Sequence, residues 1–120
     1  MTVIEMELPI KTISEANQSR YEHWGARAKR ATSQKGVVKL GLFNYQRTLR
    51  KHKGPIIVTL TRIAPRKLDN HDNLPRAFKA CVDEIAKTLG VDDKDKRVTW
   101  RYAQERGKPK EYKVRVTIDA

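Results

Sequence analysis

The sequence predicts a mixed α/β fold, a single small domain in which a mixed β-sheet of about four strands packs against two main helices. Three observations predict it. Alternating or β-branched runs occur at Thr2–Leu8, Ile56–Ile63, Arg97–Ala103 and Glu111–Ile118. Helix-forming stretches fall after the first run and after the second, which gives the order strand, helix, strand, helix, strand, strand. A chain of 120 residues buries one core and leaves no room for a separate catalytic partner, so residues 1–120 are expected to form one domain.

Val3, Met6 and Leu8 alternate with polar residues, with Ile4 between them, and Pro9 ends the first strand. Lys11–Trp24 has turn formers and no clear period; His23 reads as a surface histidine and Trp24 as packing. From Ala26 to Lys51 helix formers dominate. Gly36 and Gly41 weaken the middle by about 1 kcal/mol each relative to Ala, so one long helix or two short ones are both open. Its cations, among them Arg27, Lys29, Arg30, Lys35, Lys39, Arg47, Arg50 and Lys51, fall mostly off the apolar positions. Such a surface follows a nucleic-acid backbone without reading bases. After Lys53-Gly54-Pro55, the buried-strand run Ile56–Ile63 delivers Pro65-Arg66-Lys67 into an acidic turn. Ligand sites in α/β domains commonly lie at such strand ends. Gly107-Lys108-Pro109 suggests a hairpin between the last two strands, with Val98, Trp100 and Tyr102 sharing one face and Val114, Val116 and Ile118 another.

Lys67–Asp95 carries the chemistry. It comprises a turn of Asp69, Asn70, His71, Asp72 and Asn73, an amphipathic helix, and a second turn holding Asp92, Asp93 and Asp95. Leu74, Ala77, Phe78, Cys81, Val82, Ile85, Ala86 and Leu89 keep the helical period and form a core face. Asn73 or Asp72 can cap the start, Pro75 fits the first turn, and Gly90 suits the end. Arg76, Lys79 and Asp83 then share the opposite face. From Leu74 to Leu89 such a helix runs about 24 Å, so Asp72 and Asp93 start at opposite ends. Either the chain after Gly90 folds back, or the two turns meet across a symmetric dimer.

Acids clustered in two turns are unusual in a chain with 26 Lys+Arg against 14 Asp+Glu, a net charge of +12. Hard divalent cations bind through one or two carboxylates together with substrate phosphates. A polyanion on a basic surface, with acids holding a metal against it, suits phosphodiester cleavage.

The order of basic residues, D-x-x-D-N-L, a helix lysine, an aspartate four residues on, a glycine and a D-D pair resembles the RusA-type Holliday-junction resolvases, including phage-encoded relatives. The match covers Arg66–Tyr102 well and the amino-terminal part weakly. The resemblance implies a homodimeric crossover junction endodeoxyribonuclease of DNA recombination and repair that uses Mg²⁺, or Mn²⁺, to cut a four-way junction symmetrically. It implies Asp72 and Asp93 as metal ligands, helped by Asp92 and by Asn70 or Asp69, with Lys79 assisting catalysis. Arg62, Arg66, Lys67 and Arg76 would grip the DNA backbone. The sequence departs from the family at Asn70, where the first aspartate of the pair is expected; an amide offers a carbonyl oxygen without charge. A relative that binds branched DNA without cutting it, or a basic nucleic-acid-binding module, are the alternatives.

The pI near 10.1 favours an acidic partner, and nucleic acid over lipid in the absence of a membrane-type amphipathic helix. RNA modules are disfavoured, because exposed aromatic platforms and RNA-binding signatures are not evident. One cysteine, Cys81, on the apolar face, with no membrane-length apolar run and no signal-like start, leads to the expectation of a cytoplasmic protein without disulfides. A calcium loop fails at Leu74 where glycine is required, and His23, His52 and His71 with one cysteine make no zinc site.

Overall fold

Residues 3–13, 24–68 and 73–120 are described by a computed structural model of the chain. Strands β1 (Val3–Leu8), β2 (Ile56–Ala64), β3 (Val98–Arg106) and β4 (Lys113–Asp119) form one sheet of order β1-β4-β2-β3. Helices α1 (Trp24–Leu42), α2 (Gln46–Lys51), α3 (Asn73–Ala77) and α4 (Lys79–Leu89) complete the fold, with a 3-10 turn at Phe43–Tyr45 between α1 and α2. The mixed α/β architecture is as the sequence predicts: β1 and β4 run antiparallel, as do β4 and β2, while β2 and β3 are parallel.

The expected hairpin between the last two strands does not form. β2 lies between them, and Gly107, at the end of β3, donates its N–H to Ala64 O at 2.8 Å as the chain passes the end of β2. Burial explains the order. Val114, Val116 and Ile118 are 0 % exposed and need neighbours on both sides, whereas β3 has five exposed residues and suits an edge. Nor do the two apolar rows take different faces. Val58 stands opposite both Trp100 and Ile118, and Leu60 opposite both Tyr102 and Val116, so all point to the helices.

That face carries one core, in which Ile4, Leu8, Val58, Leu60, Val116 and Ile118 meet Val38, Leu42, Leu74, Phe78 and Ile85 from the helices. Each such side chain contributes about 1.5–3 kcal/mol by leaving water. α1 passes Gly36 and Gly41 without breaking and turns Gln34, Val38 and Leu42, four residues apart, inward. Gly41 is needed there because a Cβ would stand 2.7 Å from Leu8 Cδ2. The second helical segment is not continuous. It breaks at Phe78, whose N–H bonds Pro75 O at 3.2 Å in a tight turn. All eight residues of its predicted apolar stripe are buried.

Among the described residues the other face of the sheet is without helices. It carries a charge lattice in which Arg115 on β4 reaches Glu7 on β1 at 3.1 Å and Glu105 on β3 at 2.7 Å, and Lys113 reaches Glu7 at 2.9 Å and Glu111 at 3.3 Å. Among the described residues no helix is long and apolar enough to cross a membrane.

Candidate nucleic-acid and metal site

The chain after α4 folds back along it, which is the first of the two alternatives the sequence leaves open. Gly90 makes this possible with φ of 74°, a left-handed conformation that glycine adopts freely. Gly90 N–H bonds Lys87 O at 3.1 Å and Val91 N–H bonds Ala86 O at 3.0 Å. Arg50 adds hydrogen bonds to Thr88 O and Lys87 O, both at 3.1 Å, so the carbonyl end of α4 is closed by a side chain from α2.

Within the returning turn the aspartates divide their work. Asp92 Oδ1 accepts the Lys94 N–H and Asp95 Oδ1 the Arg97 N–H, each at 2.8 Å, so both shape the backbone. Asp93 faces the helix instead. Its Oδ2 lies 3.1 Å from Lys79 Nζ, which also stands 3.0 Å from Asp83 Oδ1. The Lys79 ammonium holds the Asp93 carboxyl below the usual carboxylate range, with a further contribution from the Asp92 carboxyl beside it. Asp83 and then Asp93 raise the pKa of Lys79 in return. A cation therefore sits between carboxylates from the helix and the turn.

One face of β3 holds this arrangement and the approach to the first acidic turn. Trp100 donates its indole N–H to Asp93 O at 3.0 Å. Tyr102, next on that face, stacks on the fully buried ring of Phe78 with centroids 5.8 Å apart. Gln104 then clamps Leu68, accepting its N–H at 2.8 Å and donating to its carbonyl at 2.7 Å. Trp100 and Gln104 are four residues apart, about 13 Å along a strand, so one chain anchors Asp93 and the entrance to Asp69–Asp72 on the same face of one strand. Asp69, Asn70, His71 and Asp72 themselves lie outside the described residues, as do Arg20 to His23.

Arg62 is a correction to the expected phosphate grip. It is 5 % exposed, and its guanidinium donates to Thr12 Oγ1 at 2.8 Å, to Thr12 O at 3.3 Å and to Arg66 O. Burial lowers its pKa, and its work is to tie the turn after β2 to the segment after β1. Arg66, Lys67 and Arg76 are exposed. Asn73 does not cap the helix through its carbonyl oxygen, which is buried without a hydrogen-bond partner among the described residues.

Between α1 and α3–α4 runs a groove of about 570 Å³ that contains Arg27, Lys35, Arg76 and Lys79 against Asp83 and Asp93. Ala31, Ala77, Val82 and Tyr102 give it an apolar lining. Lys79, Asp93 and Arg76, predicted from the sequence, thus share one concavity with Arg27 and Lys35, which the sequence offered only as part of a general basic surface. Trp100 and Tyr102 were read as strand residues alone, and Gln104 lies one residue beyond the strand expected at Arg97–Ala103. Their period of two gives their common face, and nothing in the sequence gives their partners.

Among the described residues no three His, Cys, Asp or Glu side chains gather into a metal-binding cluster. Cys81 is buried, with its pKa pushed up to about 12, and takes no part in chemistry. Compared with protein-family models and with curated proteins, the chain matches none.

Proposed function

We propose that this chain is a Mg²⁺-dependent, structure-selective endonuclease of branched DNA, of the RusA resolvase type, working as a homodimer. The observation that carries the proposal is the Lys79 ammonium placed 3.0 Å from Asp83 and 3.1 Å from Asp93 inside a groove where cations outnumber acids. Carboxylates that already converge on one cation suit a divalent ion, and Asp92 beside Asp93 adds a further oxygen donor. Asp93 and Asp92 would hold the metal together with Asp72 and an oxygen of Asn70 or Asp69. When bound, the metal would lower the pKa of a water and steady the charge on the scissile phosphate.

The chain's own groups do the rest. Lys79, exposed at the groove between Asp83 and Asp93, would neutralise charge on the phosphate or leaving oxygen. Arg27, Lys35 and Arg76 line the path of the backbone through the groove, and exposed Arg66 and Lys67 extend it toward the first acidic turn. Trp100 anchors Asp93 and Gln104 anchors Leu68 on β3, which would hold Asp93 in place when the phosphate arrives.

The test is cleavage of an end-labelled four-way junction beside a linear duplex, with Mg²⁺ or with chelator, by wild type, Asp72→Asn and Asp93→Asn. Paired symmetric nicks on the junction alone, lost with chelator and in both variants, are expected. Junction-selective binding without cleavage, rescued by Asn70→Asp, would replace the nuclease by a non-cutting relative. Equal binding of junction and duplex with no cleavage would remove both.

A further inference from the structure

The far end of α1 carries a second surface that the nuclease reading does not use. Leu40 is 79 % exposed and Phe43, three residues on, is 67 % exposed. Single exposed apolar residues are ordinary, but Phe43 also lines an open depression of about 850 Å³. Besides Phe43 it is lined by Asn44, Gln46, Arg47, Thr48, Lys51 and Lys53, and among the described residues no carboxylate contributes to it. Arg50, also there, is committed to the α4 carbonyls. What remains is an accessible aromatic ring with three cations and two amides around it.

We propose that this surface binds an unpaired stretch of nucleic acid, with one base stacked on Phe43 and the flanking phosphates held by Arg47, Lys51 and Lys53. The charge decides the class of partner: a lining whose ionisable groups are all cationic favours a polyanion, and the exposed ring adds a stacking face that any unpaired base can meet. A paired base hides its faces, so duplex gains from the cations only. Phe43 lies 16 residues beyond Arg27 in the groove, about 24 Å along the helix or roughly seven base-pair steps. One molecule can therefore engage a strand in the groove and an unpaired segment at the other end of α1.

Fluorescence anisotropy with a labelled single strand of about 12 nucleotides, within the site sizes of such surfaces, tests this beside a duplex of equal length. Phe43→Ala is expected to weaken single-strand binding by roughly 5- to 150-fold, the loss of one stacked base, while duplex binding changes little. Phe43→Trp should restore it. Lys51→Gln should instead reduce the salt dependence, by about 0.7 in the log–log slope. Single-strand affinity unaltered in Phe43→Ala overturns the proposal, as does loss of self-association by Phe43→Ala in sedimentation with binding intact, which would assign the surface to a second copy. Because no cleavage is measured, the result is independent of the nuclease activity.

Discussion

Two regions of this protein place lysine or arginine between carboxylates, and they use the arrangement differently. On the open sheet face, the network of Arg115 and Lys113 contains four acids, Glu5, Glu7, Glu105 and Glu111, against two cations. Among the described residues of the groove, four cations meet two acids. The first is flat, and its arginine spans the edge strands β1 and β3 from β4. The second is concave, and its lysine is 64 % exposed. Among the described residues, ion pairing on the sheet leaves surplus negative charge, whereas in the groove it leaves surplus positive charge beside Asp93, a ligand of the proposed metal site. The side of the molecule that carries helices is therefore the side we propose for a polyanion.

The largest effect is expected beneath the groove. Phe78→Ala removes a fully buried ring from under Tyr102 and should cost about 3–5 kcal/mol in a denaturant titration. The same titration on Gly90→Ala should show a loss of about 1–2 kcal/mol, since the residue is held at φ of 74°.

Lys79→Met sharpens the comparison, because an exposed side chain contributes little to folding but much to transition-state charge. Cleavage should fall by about 10²–10³-fold with folding stability nearly unchanged. An NMR titration should show the Asp93 carboxyl returning toward its ordinary range, since Lys79 is the principal group lowering it.

The smallest effect belongs to the sheet face. Glu7 and Glu105 have lowered pKa values, Glu7 through Lys113 and Arg115 and Glu105 through Arg115. Their stabilisation is present above the unfolded carboxylate pKa of about 4.3 and is lost as pH falls through the lowered folded values. Arg115→Ala should thus melt slightly below wild type at neutral pH, and the gap should close on acidification. Equal gaps at both pH values would mean that Arg115 acts by packing alone.

Much of this was legible in the sequence. The period of Leu74 to Leu89 gives the buried face of α3–α4 and Gly90 gives its end, while the reversal that returns Asp93 to Lys79 was one of two alternatives the sequence left open. Strand order was not, because alternation tells which face a residue takes and not which strand lies beside it; the hairpin expected at Gly107 failed for that reason. Arg62 was misread because a cation before an acidic turn looks like a phosphate grip until its burial is known. Phe43 lies inside the helix-forming stretch Ala26–Lys51, but α1 ends at Leu42 and the following 3-10 turn leaves the ring exposed.

The most direct test compares the two regions on one ligand. Binding of a four-way junction would be followed across salt concentrations for Arg27→Gln/Lys35→Gln in the groove and for Lys113→Gln/Arg115→Gln on the sheet. The groove variant should lose affinity and about 0.9 of log–log slope for each phosphate contact removed, and the sheet variant should bind as wild type does. Loss of affinity and slope in the sheet variant, with the groove variant unaffected, would contradict the assignment of the groove to DNA.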